Sequence, residues 1–262
     1  MQSLNPSIPP GLPPALVRGL SASERTARWR PGIATGCHHA EIFASGGEGS
    51  GAGFALSLAR EALRNEGWRC APGDPVADTP DERAWLWVQD KAARRLSGRP
   101  YRPGLPPDLR HRLIHVAADK AEDALFALEE GLRCRDLAFV IGEIAGNPRA
   151  LDFTASRRLS LAAERHGVPL WLVRLDAACD LGSARMRWKV VAAPSLAPRW
   201  NGHAPGAASW RAELFRAHTF QPGQWTLRDE GSELAFSPAT IPATSGAGDL
   251  VRASGDRSLA AG

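Results

Sequence analysis

The chain has only four cysteines, one tyrosine and two methionines in 262 residues, and no apolar run near the length a membrane helix needs, about 18 residues. Cys37, Cys70, Cys134 and Cys179 are scattered without a C-x-x-C pair. That spacing argues against zinc and against a disulfide framework, and fits reduced, mostly buried thiols. The polar, proline-bearing start lacks the apolar centre of a signal peptide, so a soluble, cytoplasmic protein with no membrane contact is expected. Cys37, His38, His39 and Glu41 are ligand types packed together, but adjacent histidines on a strand point to opposite faces, and no metal is expected. Ser, His and Asp are too dispersed for a hydrolytic triad.

The most telling absence is local. Gly46-Gly47-Glu48-Gly49-Ser50-Gly51-Ala52-Gly53 has the spacing of a phosphate-binding loop, G-x-x-x-x-G-K-[ST], with Ala52 and Gly53 in place of the lysine and the hydroxyl. A working loop needs the lysine to neutralise phosphate charge and the hydroxyl to hold Mg²⁺. A short strand at His39 to Ala44 and a helix from about Phe54 give the strand, loop, helix order that such a site requires.

What is present is ordinary globular material, 44% hydrophobic and 23% charged, enough for one α/β domain. Short apolar runs at 84–89, 113–116, 137–141 and 168–173 alternate with amphipathic helices at 120–133 and 153–165, the second ended by Gly167. That alternation predicts a mostly parallel sheet with helices on both faces. Segments 186–191, 212–217 and 223–227 read as strands forming an antiparallel C-terminal edge, the last two joined as a hairpin through Pro222-Gly223. Residues 1–35 read as an irregular arm, 36–236 as the domain and 237–262 as a disordered tail.

From Arg157 to Arg216 there are ten basic residues against four acidic ones, a net of +6. Arg157, Arg158, Arg185, Arg187 and Lys189 are therefore candidates for a DNA- or partner-facing surface, with Trp210 and Trp225 as candidate contacts on the C-terminal hairpin. Trp188 and Trp200 are stacking candidates, against the alternative that they are core residues.

The order of these elements resembles the RecA-like P-loop fold, and more closely the ImuA family, RecA-related and SulA-like accessory proteins of SOS mutagenesis. The resemblance runs from about Glu41 to Leu227. It rests on Glu41-Ile42-Phe43 before the glycine loop, Leu113 to Arg133, Asp136 to Gly142, the Arg157 helix, Val168 to Leu175, Trp210 to Leu214 and Gly223-Gln224-Trp225. It implies that Gly142 stands where RecA-like ATPases carry a Mg²⁺-positioning aspartate, with Glu143 displaced by one residue. Asp90-Lys91 stand where the catalytic glutamate is expected. With Gly46, Gly51, Ala52 and Gly53 this is a degenerate nucleotide position, so neither catalysis nor a cofactor is expected. The implied role is a scaffold in error-prone translesion DNA synthesis, with an ImuB-like Y-family polymerase homologue, an error-prone DNA polymerase III alpha-type subunit, RecA and DNA as candidate partners. The alternatives are a DNA-dependent ATPase with a shifted site using Glu143 or Asp90 with Lys91, and a SulA-like inhibitor of cell division.

Overall fold

A computed structural model describes residues 28–32, 38–64, 81–198, 200–201, 203–231 and 233–238. Most of the arm expected at 1–35 and the tail beyond 238 lie outside these residues. The elements are β1 (His39–Ala44), α1 (Ser50–Arg64), β2 (Ala84–Gln89), α2 (Lys91–Ser97), a 3-10 turn (Arg102–Gly104), β3 (Leu113–Ala117), α3 (Ala121–Arg133), β4 (Leu137–Ala145), α4 (Phe153–His166), β5 (Leu170–Leu175), β6 (Met186–Ala192), β7 (Ser209–Ala217), β8 (Gly223–Asp229) and β9 (Leu234–Pro238).

The strands form one nine-stranded sheet in the order β3-β2-β4-β5-β1-β6-β7-β8-β9. Pairs from β3 through β6 are parallel and those from β6 onward antiparallel. The central strands β4 and β5 are buried on both faces, which is why their sequences are apolar runs instead of alternating patterns. On one face α1 sets Phe54, Ala55 and Ala59 against Ile42, Val173 and Trp188. On the other, Leu125, Leu128 and Leu132 of α3 and Leu159 of α4 cover Val140, Ile144, Leu170 and Leu172. The parallel core, the helices on both faces and the antiparallel edge are as expected. Gly167 closes α4 in the left-handed conformation, φ 66°.

Four features differ from expectation. Helix α1 begins at Ser50, inside the glycine stretch. The short helix α2 appears after β2 because Asp90 caps it, its Oδ1 accepting from Ala93 N at 2.6 Å, and Gly98 at φ 77° turns the chain out of it. Strand β9 pairs with β8 and reaches Ser237 and Pro238, where a disordered tail is expected. Nor are the thiols uniformly buried, since Cys134 and Cys179 are exposed.

Candidate functional site

The glycine loop joins the carboxyl end of β1 to α1, the end of the sheet where open α/β folds hold ligands. Its first three amides are engaged within the protein. Gly46 N donates to Asp176 Oδ1 at 2.9 Å, Gly47 N to Ser45 Oγ at 3.2 Å and Glu48 N to Ser45 O at 3.3 Å. Asp176 follows β5 and, at φ 50°, is the one left-handed non-glycine residue among those described. That conformation turns its carboxylate onto the loop, a conformation Asp tolerates because its short side chain bonds locally.

A second carboxylate belongs to the loop itself, Glu48 Oε2 accepting from Ala192 N at 2.9 Å. The space is filled as well. A Cβ on Gly46 would lie 2.8 Å from Leu96 Cδ1, one on Gly51 2.7 Å from Val173 Cγ1, and one on Gly53 3.2 Å from Trp210 Cζ2. Position 53, where the P-loop spacing calls for a hydroxyl, is thus roofed by an indole.

At the end of β4, Gly142 and Glu143 point to opposite faces. Gly142 packs under Leu128, which a Cβ would approach to 3.0 Å. Glu143 is 1% exposed and accepts at Oε2 from Gln89 Nε2 and from Ser97 Oγ, each at 2.7 Å. His115 Nε2 lies 2.9 Å from Gln89 Oε1, extending this polar chain to the edge strand β3. Helix α2 therefore sets Leu96 on Gly46 and Ser97 on Glu143, filling the crevice between the loop and β4. Asp90 is consumed as a cap, Lys91 is exposed, and Asp119 is exposed in an ion pair with Arg94 at 3.4 Å.

Burial pushes the Glu143 carboxyl above its ordinary value, against the hydrogen bonds of Gln89 and Ser97 and with a further push from Asp90. A raised folded-state pKa means the group favours folding below its unfolded pKa and loses that contribution as pH rises through the folded one. Glu143→Gln keeps an acceptor for both donors and removes the ionisation. The variant should be more heat-stable than the parent at pH 7 to 8, with the gain closing toward pH 4; thermal melts across that range decide it, and a gain independent of pH would refute the assignment. His39 behaves oppositely. Burial lowers its pKa to about 4, against the pull of Glu41, and its Nδ1 lies 2.7 Å from Ser160 Oγ.

Beside the loop lies a buried ion cluster. Glu41 of β1, 1% exposed, accepts from Arg187 Nε of β6 at 2.6 Å and lies 4.0 Å from Arg174 Nη1 of β5. Both guanidiniums flank the Phe43 ring, at 5.7 Å for Arg174 and 5.0 Å for Arg187. The segment 176–184 straps over them, its Asp180 carbonyl accepting from Arg187 Nη2 at 2.6 Å, while Arg174 Nη2 donates to Gly146 O at 3.0 Å. Asn147 and Ser156 pin the strap from the far side through Ala178 and Ser183.

The candidate surface residues do not form one surface. Arg157 and Arg158 are exposed on α4, Arg158 within 3.4 Å of Glu129. Arg185 is exposed and bonded to Glu164 at 2.6 Å. Lys189 is exposed with its Nζ 5.3 Å from the Phe215 ring. Arg187 is 3% exposed and belongs to the ion cluster. Trp210 and Trp225 are 4% and 6% exposed, so they are core residues and not contact residues, because β7 and β8 turn them toward α1 and Trp29. Trp188 is core too, whereas Trp200 is 82% exposed. Among the described residues no His, Cys, Asp and Glu group is arranged to hold a metal, and no helix is long and apolar enough to cross a membrane.

These features define an α/β protein whose glycine loop is closed by its own side chains. No family model matches the chain. Curated proteins named Protein ImuA, from Caulobacter vibrioides strains NA1000 / CB15N and ATCC 19089 / CIP 103742 / CB 15, are 33% identical to it over 127 residues, 45% of this chain and 50% of each relative. The chain spans about half the length of the curated relatives it matches, and over that span it is similar to them.

Proposed function

We propose that the chain is a non-catalytic accessory factor of damage-induced, error-prone translesion DNA synthesis, built on a RecA-like P-loop fold and scaffolding a Y-family-like partner together with an error-prone polymerase. The similarity to ImuA supports the setting, and the strand, glycine loop, helix order at a central strand of a mostly parallel sheet supports the fold. The observation that carries the loss of catalysis is the Asp176 carboxylate on Gly46 N. An anion on that amide, with Glu48 close by and no lysine at position 52, repels phosphate where a working loop attracts it.

Restoring the motif should not restore the activity. Ala52→Lys/Gly53→Ser leaves Asp176 and Leu96 in place and sets the new hydroxyl against Trp210. The parent chain and this variant should hydrolyse no ATP with or without single-stranded DNA, while the parent co-purifies with a co-expressed Y-family-like partner. ATP turnover by the parent, abolished by Glu143→Gln, would establish the shifted-site ATPase instead. Failure to co-purify removes the scaffold reading, and binding to the division tubulin homologue replaces it with the SulA-like one.

A further inference from the structure

The segment from Lys91 to Arg102, KAARRLSGRPYR, holds five cations and no acid, and it contains the only tyrosine of the chain. It forms α2 and the turn that follows, outside the run of basic residues between 157 and 216. Lys91, Arg95, Arg99 and Arg102 are exposed, and among the described residues none of Lys91, Arg95 and Arg99 is in an ion pair. Arg94 is tied to Ala118 O at 2.9 Å and to Asp119. Three of the five lie near the edge strand β3: Arg102 bonds Leu113 O, and Arg99, Arg94 and Arg102 disfavour a charge on His115, after the burial of that ring.

Tyr101 is 74% exposed and fixed in place. Pro100 and Pro103 flank it, its carbonyl accepts from Gly104 N at 3.0 Å, and its ring lies over Gly104, where a Cβ would come within 3.0 Å of Cδ1. Arg102 Nη2 bonds Leu113 O at 3.1 Å and anchors the turn to β3. A large ring exposed to water, in a segment whose Lys91, Arg95 and Arg99 are exposed and outside every ion pair among the described residues, has no role in the core. Backbone neutralisation by cations beside an aromatic platform is the arrangement that takes single-stranded nucleic acid.

We infer that this edge, Lys91, Arg95, Arg99 and Arg102 with Tyr101, is a binding site for single-stranded nucleic acid, one base stacking on Tyr101 and its neighbouring phosphates on the arginines. An acidic protein segment would use the cations and leave the ring idle. The inference does not depend on the reading of the glycine loop, since none of these side chains closes it.

The test is fluorescence anisotropy of a labelled 20-nucleotide oligo-dT with the full chain, across a salt series. Three or four phosphate contacts predict a log-log salt slope of about −2 to −3. Tyr101→Ala should weaken binding at least about fivefold, the low end of one lost stacking contact. Arg95→Glu/Arg99→Glu should weaken it further and flatten the slope, while Arg157→Glu/Arg158→Glu on α4 leaves it unchanged. All these residues are exposed, so unchanged melting curves check the fold. No binding, binding indifferent to Tyr101→Ala and Arg95→Glu/Arg99→Glu, or displacement by poly-glutamate at equal charge with no Tyr101 dependence would overturn the inference, the last identifying an acidic protein segment.

Discussion

Glu41→Ala should lower the melting temperature by on the order of 10 °C, the consequence of losing about 3–5 kcal/mol of stability. The carboxylate bonds Arg187 Nε and lies 4.0 Å from Arg174 Nη1, guanidiniums that are themselves 3% and 4% exposed, and its removal strands both charges in the interior. Arg174 Nε has no hydrogen-bond partner even in the intact cluster, and Asp180, the other carboxylate acting on Arg174, acts more weakly than Glu41. Glu41→Gln preserves an acceptor for Arg187 Nε and should be milder, though still destabilising. The cost is that of breaking the cluster, which is different from the net worth of having it. Glu41→Leu combined with Arg174→Met and Arg187→Met should therefore recover most of the loss. Thermal melts of the three variants measure this, and a Glu41→Ala shift below about 2 °C would show that water enters the cluster freely.

The sheet was legible because buried parallel strands are apolar throughout, so Leu137 to Ile141 and Val168 to Val173 announce themselves without an alignment. Gly167 was legible because only a left-handed cap needs a glycine there. The closure of the glycine loop was half legible. The missing lysine is visible in the sequence, but Asp176 lies 130 residues from Gly46, and no local pattern says where its carboxylate goes.

Helix α2 was hidden for the opposite reason. Seven residues with Ala93 as their one buried side chain carry no amphipathic stripe, and only Asp90 and Gly98 mark its ends. Arg187 misled because it occupies the outward phase of β6, between Met186 and Trp188, yet is buried by a salt bridge from a strand 146 residues away. Trp210 and Trp225 were recoverable from period-two alternation, since Trp210, Ala212 and Leu214 share one phase, and so do Trp225 and Leu227.

Trp210→Ala should cost about 3–5 kcal/mol, the usual loss for truncating a buried large aromatic. The ring is 4% exposed, meets Phe54 edge to face at 5.8 Å and roofs Gly53 at the start of α1. An exposed tryptophan would instead leave the melting temperature intact, which is the behaviour expected of Trp200→Ala. The roof also makes a second, coupled effect. Gly53→Ala gains helix propensity, about 1 kcal/mol, but its Cβ must sit 3.2 Å from Trp210 Cζ2. In the parent the two terms oppose each other; in the Trp210→Ala background the crowding is gone and the full propensity gain appears. A double-mutant cycle should thus show Gly53→Ala stabilising more strongly without the indole than with it. Additivity would mean the indole does not restrict that position, and with it would fall the argument that a P-loop hydroxyl has no room here.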